Sequence, residues 1–153
     1  IKLLRFMSKI WMPIADEVVI IGGGLVGLEL AEYLVERGRK ITVLEPGPSL
    51  GPELAIVRRA RVIHLLREHG VKISRGCHIE YISADKVVYT KKDERKEVSA
   101  KQVIIAIGAE ADASLEQQLA DSGAQVHRIG DCRDKSFIDG AILDARKLVQ
   151  AIS

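Results

Sequence analysis

Glu17-Val18-Val19-Ile20-Ile21-Gly22-Gly23-Gly24-Leu25-Val26-Gly27-Leu28-Glu29-Leu30-Ala31 is the stretch that decides how the 153-residue chain folds. A β-branched apolar run leads into Gly22-x-Gly24-x-x-Gly27, and the pattern then turns helical. This strand–turn–helix order is what a dinucleotide pyrophosphate requires. Gly22 serves the tight turn out of the strand. Gly24 lets backbone approach the phosphates, and Gly27 lets the helix pack close to the strand. Leu25 and Val26 open the helix, where backbone N–H groups lack partners and the helix dipole favours an anion.

Two further features fit. The segment 25–37 carries Val26, Leu30, Ala31 and Leu34 as an apolar stripe suited to packing on a sheet, and Gly38 follows at the expected helix end. The next apolar run, Ile41-Thr42-Val43-Leu44, ends in Glu45, 45 − 22 = 23 positions after the first glycine. An acid about 20 residues on is the one that accepts hydrogen bonds from the adenosine ribose. A carboxylate there binds the ribose hydroxyls of NAD and repels the 2′-phosphate of NADP. The loop Pro46 to Pro52 adds no positive charge, and Arg58, Arg59 and Arg61 come later, on an expected helix. NAD(H) is the nucleotide these residues favour.

The rest of the chain extends the same plan. A helix is expected over 53–69 and a third strand over 71–74, completing β-α-β-α-β. Short alternating segments at 77–82, 86–90 and 97–100 read as an antiparallel meander, with the charge run 91–96 as a solvated hairpin tip. Val103 to Ile107 is continuous and apolar, as a buried parallel strand is. A short helix over 114–122, a strand at 126–129 and an amphipathic helix over 138–152 finish the chain. The fold class is α/β: a Rossmann-like three-layer parallel sheet with helices on both faces and a small antiparallel β-meander crossover.

Composition sets limits. The net charge is +2, with 47% hydrophobic and 4% aromatic residues, so neither nucleic acid nor membrane is an expected partner. Cys77 and Cys132 form no CxxC, no metal site is indicated, and a reducing cytoplasm is the default location. Residues 1–15, basic and apolar, read as a linker or connecting helix. The chain starts at Ile1 rather than Met, as a piece of a longer protein would.

With the glycine motif, the meander, Ala106-Ile107-Gly108 and Ile129-Gly130-Asp131 in this order, the chain resembles the two-dinucleotide-domain flavoprotein reductases. Among them it is most similar to the C-terminal part of the enoate reductase and 2,4-dienoyl-CoA reductase group. The resemblance implies an NAD(P)H-binding domain over 16–109 and a returning segment of an incomplete FAD domain over 110–153. It implies that Gly108 passes close to the nicotinamide and that Asp131 contacts FAD; Asp131 serves equally as a cap for the final helix. Glu29 matches an acid near the nicotinamide–flavin contact, or it is a first-turn acid favoured by the helix dipole. FMN and an iron–sulfur cluster belong to the group but not to this chain, whose partner would be the remainder of the flavoprotein. This chain has Ala111-Asp112 where many relatives have Pro-Asn.

The reading is therefore an NADH dock in a flavin-dependent oxidoreductase, inactive in isolation and without catalytic residues of its own. A structural or regulatory ADP-binding module is the main alternative. A methyltransferase also uses a glycine turn and an acid, although the meander and Gly130-Asp131 count against it. Homodimerisation through the final helix is a further option.

Overall fold

Val18 and Ile20 point to one side of a strand and Val19 and Ile21 to the other, and all four are buried. A strand apolar on both faces must be covered twice, and this sets the architecture. The computed structural model describes Met7, Trp11–Asp134 and Ser136–Ile152. Residues 1–6 and 8–10 of the expected linker lie outside them. The chain forms two compact units, 1–108 and 109–153.

In the first unit, β1 (Glu17–Ile21), β2 (Lys40–Glu45), β3 (Lys72–Arg75) and β7 (Gln102–Ile105) form a parallel sheet in the order β3-β2-β1-β7. This is the strand order of one half of a Rossmann sheet. Helix α1 (Leu25–Val35) follows β1 and α2 (Ile56–Glu68) follows β2. Leu28, Ala31, Leu34 and Val35 of α1 and Val62 and Leu66 of α2 share a core with Val18, Ile20, Ile41 and Val43. Val26, expected on the packed face, is exposed instead. The buried face of α1 runs through Gly27, Leu28, Ala31, Leu34 and Val35, which leaves Val26 on the outward side of the first turn.

The other sheet face meets an antiparallel sheet of β4 (His78–Ile82), β5 (Lys86–Lys91) and β6 (Glu94–Ser99), in the order β4-β5-β6. Val19, Ile21 and Leu44 pack there with Cys77, Val87, Tyr89 and Ala100. The three layers are thus helices, parallel sheet and meander, with the meander on the face where the sequence reading also expected helices.

The charge run 91–96 is mostly strand rather than hairpin tip. The turn is only Lys92-Asp93, both with positive φ (51° and 62°), as a tight two-residue hairpin turn demands. The flanking charges pair along and across the strands: Lys86 Nζ–Glu97 Oε2 at 2.7 Å, Lys96 Nζ–Glu94 Oε2 at 2.9 Å and Arg95 Nε–Glu80 Oε2 at 3.1 Å. The Thr90 hydroxyl donates to Glu80 and, with Arg95 beside it, holds that carboxyl below its ordinary range.

The second unit holds α3 (Ser114–Leu119), a 3-10 turn at Ala120–Ser122, another at Gly130–Cys132, and α4 (Phe137–Ile152). The strand expected at 126–129 does not form. A strand is stabilised by a neighbour's hydrogen bonds, and no described segment of this unit is a strand that could provide them. Asp112 Oδ1 accepts the Ser114 N–H at 2.8 Å, which starts α3 and lowers the carboxyl's pKa. Cys77 is buried, Cys132 exposed, and both are free thiols. No described helix is long and apolar enough to cross a membrane.

Candidate functional site

The parallel sheet brings the carboxyl ends of β1, β2 and β7 to one edge, where ligands of open α/β sheets bind. Gly22 leaves β1 with φ +112°, and its N–H donates to Leu44 O at 2.8 Å. A Cβ on Gly22 would stand 2.3 Å from Ala106 O, in the segment leaving β7. On Gly27 it would stand 1.9 Å from Gly22 O. The first contact lets β7 close against the turn, and the second lets α1 close against it. Any side chain at either position would force backbone apart.

Gly24 N-caps α1 in an extended conformation and has no side chain with which to cap it. The leading amides, Leu25, Val26 and Gly27, precede any carbonyl that the helix could offer them. Glu53 fills part of that role, its Oε2 accepting the Leu25 N–H at 3.3 Å. Val26 and Glu29 are exposed, and Gly24 and Leu25 half-buried.

Glu45 lies at the end of β2. One carboxylate oxygen accepts the Gly23 N–H and the other the Gly47 N–H, each at 2.5 Å. Both oxygens are thereby fixed in direction, yet each retains acceptor capacity for a further donor. Gly23 explains itself here: a Cβ on it would meet Leu50 Cδ2 at 2.5 Å and Glu45 Oε2 at 3.3 Å. Sequence reading gave Gly23 no role, although its place inside a triple glycine was the available signal. The loop after β2 is tied over the turn as well, Gly51 N donating to Gly23 O at 2.7 Å.

One of the arginines after that loop is engaged elsewhere. Arg58 on α2 pairs with Glu32 at 2.8 Å and stands 3.9 Å from Glu29, so it links α2 to α1. Arg75 ends β3 in register with Glu45 and donates to Pro48 O at 3.4 Å. It is the cation nearest in the sheet to the acid, and the sequence analysis did not single it out. Gly108, with φ +107°, follows β7 at the same sheet edge and is exposed.

The structure thus gathers Gly22, Gly24, Leu25, Val26, Gly27 and Glu45 around one turn. The residues present fit a dinucleotide: a cradle that Cβ atoms would fill, leading amides for a pyrophosphate, and a fixed carboxylate for a ribose. Asp131 belongs to the other unit. It is exposed on the 3-10 turn, and no hydrogen bond ties its side chain to the start of α4 among the described residues. The acid that organises this turn is Asp144, which sequence analysis missed. Its side chain is 5% exposed. It accepts from Gly130 N at 3.2 Å, Arg133 Nε at 2.9 Å and Arg133 Nη2 at 2.6 Å. An acid between Ala141 and Leu148 on the apolar side of an amphipathic helix needs such partners, and that was the signal.

Comparison with known proteins agrees with this geometry. The profile of the pyridine nucleotide-disulphide oxidoreductases matches residues 4–135. An NADH oxidase from Thermoanaerobacter brockii is 32% identical over 132 residues, which is 85% of this chain and 20% of that protein. A bilirubin reductase from Mediterraneibacter gnavus is 31% identical over 122 residues, 80% of this chain and 19% of the relative. The chain therefore spans about one-fifth of the length of these curated relatives. The crystal complex of a 2-naphthoyl-CoA reductase with 2-naphthoyl-CoA superposes with a TM-score of 0.78 at 27% identity, covering 95% of this chain and 22% of the other. With the glycine turn, the fixed acid and the profile in accord, the chain belongs to the pyridine nucleotide-disulphide oxidoreductase family.

Proposed function

We propose that this chain docks NADH for a flavin-dependent oxidoreductase, and that the intact enzyme is of the enoate reductase and 2,4-dienoyl-CoA reductase type. The observation that carries the reading is Glu45, its two carboxylate oxygens held by the Gly23 and Gly47 amides beside the glycine turn. A carboxylate fixed in this way receives the two adenosine ribose hydroxyls without first losing rotamer freedom. It also repels a 2′-phosphate, so NADH is preferred over NADPH.

NADH, when bound, supplies the hydride that FAD receives. The protein's part is to bind and orient. Gly22, Gly24 and Gly27 bring backbone to the pyrophosphate, and the Leu25 and Val26 amides receive its charge. Glu29 and Gly108 face the nicotinamide half. Residues 16–109 form this NAD(P)H-binding domain, and 110–153 are a returning part of an FAD domain. There Asp131, with its exposed carboxylate, contacts FAD once the remainder of the flavoprotein is present. The names of the relatives support a reductase, and the structural likeness to a reductase crystallised with a CoA thioester supports the enoyl-type branch. FMN and an iron–sulfur cluster would belong to the other domains, as in that branch.

Calorimetric titration of the chain with NADH, NADPH, ADP and FAD at one salt concentration tests this. NADH should bind more tightly than ADP and NADPH. Equal binding of ADP and NADH would mean that the nicotinamide half makes no contact, and the dock for hydride transfer would be lost as a reading.

A further inference from the structure

Helix α1 has an anion at its N-terminus already, and it comes from the chain itself. The Glu53 Oε2 accepts the Leu25 N–H at 3.3 Å, and its Oε1 lies 3.2 Å from the point where a Cβ on Gly24 would stand. No acidic residue lies in the first turn of α1, and Gly24 cannot cap with a side chain. The loop carries Glu53 there by fixed contacts: Leu50 is buried against Gly23, Gly51 N donates to Gly23 O at 2.7 Å, and Leu54 N donates to Gly51 O at 3.0 Å.

We infer that Glu53 is a displaceable internal anion, holding the end of α1 until a phosphate-bearing ligand takes over the same amides. The inference rests on the dinucleotide reading above. A pyrophosphate reaching Leu25 N would share its space with the carboxylate, and two anions on one helix end repel each other at short range. Exchange is physically easy. Glu53 is exposed, and the Leu25 amide is its only hydrogen-bond partner among the described residues, so rotation about its side chain releases it into water.

The exchange has a consequence for selectivity. A ligand must bring enough negative charge to replace the carboxylate, and adenosine, which brings none, has no reason to disturb it. Glu53 therefore lowers the affinity for phosphate-bearing ligands while keeping the helix end satisfied without them.

The test compares the full chain with Glu53→Gln and Glu53→Ala by calorimetry, using NADH, ADP and adenosine at low salt. Both variants should bind NADH and ADP about three- to tenfold more tightly, with adenosine unchanged. The gain should shrink as salt rises. In the ligand-free protein, the Leu25 amide resonance should move in both variants, which reads the contact without any nucleotide. If wild type binds NADH and the variants bind it equally or more weakly, the displacement idea is overturned while the dock stands. An unmoved Leu25 resonance overturns it as well. Absence of NADH and ADP binding in all three proteins removes the dinucleotide reading, and the inference falls with it.

Discussion

The two compact units are held together by opposite means. In the first, twenty apolar side chains from Val18 to Ala100 are buried, and all but Val88 fall into two clusters on the two faces of one parallel sheet. In the second, the buried residues described are Gly130 and a single acid, Asp144. Its long helix instead exposes Phe137, Ile138, Ile142, Leu143, Val149 and Ile152. One unit is organised by water leaving apolar surface, the other by a charged contact between a helix and a turn. The glycine turn and Glu45 sit in the unit that builds its own core. A site that needs sub-ångström backbone placement belongs on such a support.

Mutations can break this contrast. Leu28→Ala removes a fully buried side chain between α1 and the sheet, and should cost about 2–5 kcal/mol in urea unfolding. Ile142→Ala, at a side chain 65% exposed, should change stability by no more than about 0.5 kcal/mol. Comparable losses from the two would show that α4 has an apolar support after all.

The charged contact is examined by Asp144→Ala, which strips the acceptor from Gly130 N and from half-exposed Arg133. A local loss of about 1–2 kcal/mol is expected, read as faster amide exchange over 137–152 with the amides of β1 unchanged. Slowing or acceleration in β1 would deny that the second unit stands on its own contact.

Glu45→Ala sharpens the contrast at the site. NADH binding should weaken about tenfold, as for loss of a hydrogen bond to a charged group, and NADPH binding should weaken less. Equal loss for both nucleotides would remove the ribose role from Glu45.

What was legible in sequence follows from the same physics. The turn could be read because Gly22 and Gly27 meet backbone atoms, and a backbone contact leaves glycine as the sole option. Alternating and continuous apolar runs similarly announced the strands of the first unit. The strand expected at 126–129 failed because its apolar residues signal an extended segment only if a neighbouring strand exists, and periodicity does not report neighbours. Val26 was misplaced by one helical step for a related reason: a stripe of apolar residues does not say which of them the sheet will meet. Glu53 and Asp144 escaped notice because their partners must be found elsewhere in the chain: Leu25 lies 28 residues from Glu53, and Gly130 and Arg133 lie 14 and 11 residues from Asp144.

Strand β7 leaves a kinetic signature as well. Its register with β1 joins Val18 to Gln102, whereas β1 meets β2 through Glu17 and Lys40. Closing the longer span costs about 1 kcal/mol more loop entropy, and all of the meander must be threaded before it. On loop entropy alone, the strand whose exit segment packs against Gly22 should join β1 after β2 does. Amide exchange should then be faster at Ile104, whose N–H faces β1 from the sheet edge, than at Ile20, whose N–H faces β2, and the wall of the site that Ala106 provides should open more often than the β1–β2 seam.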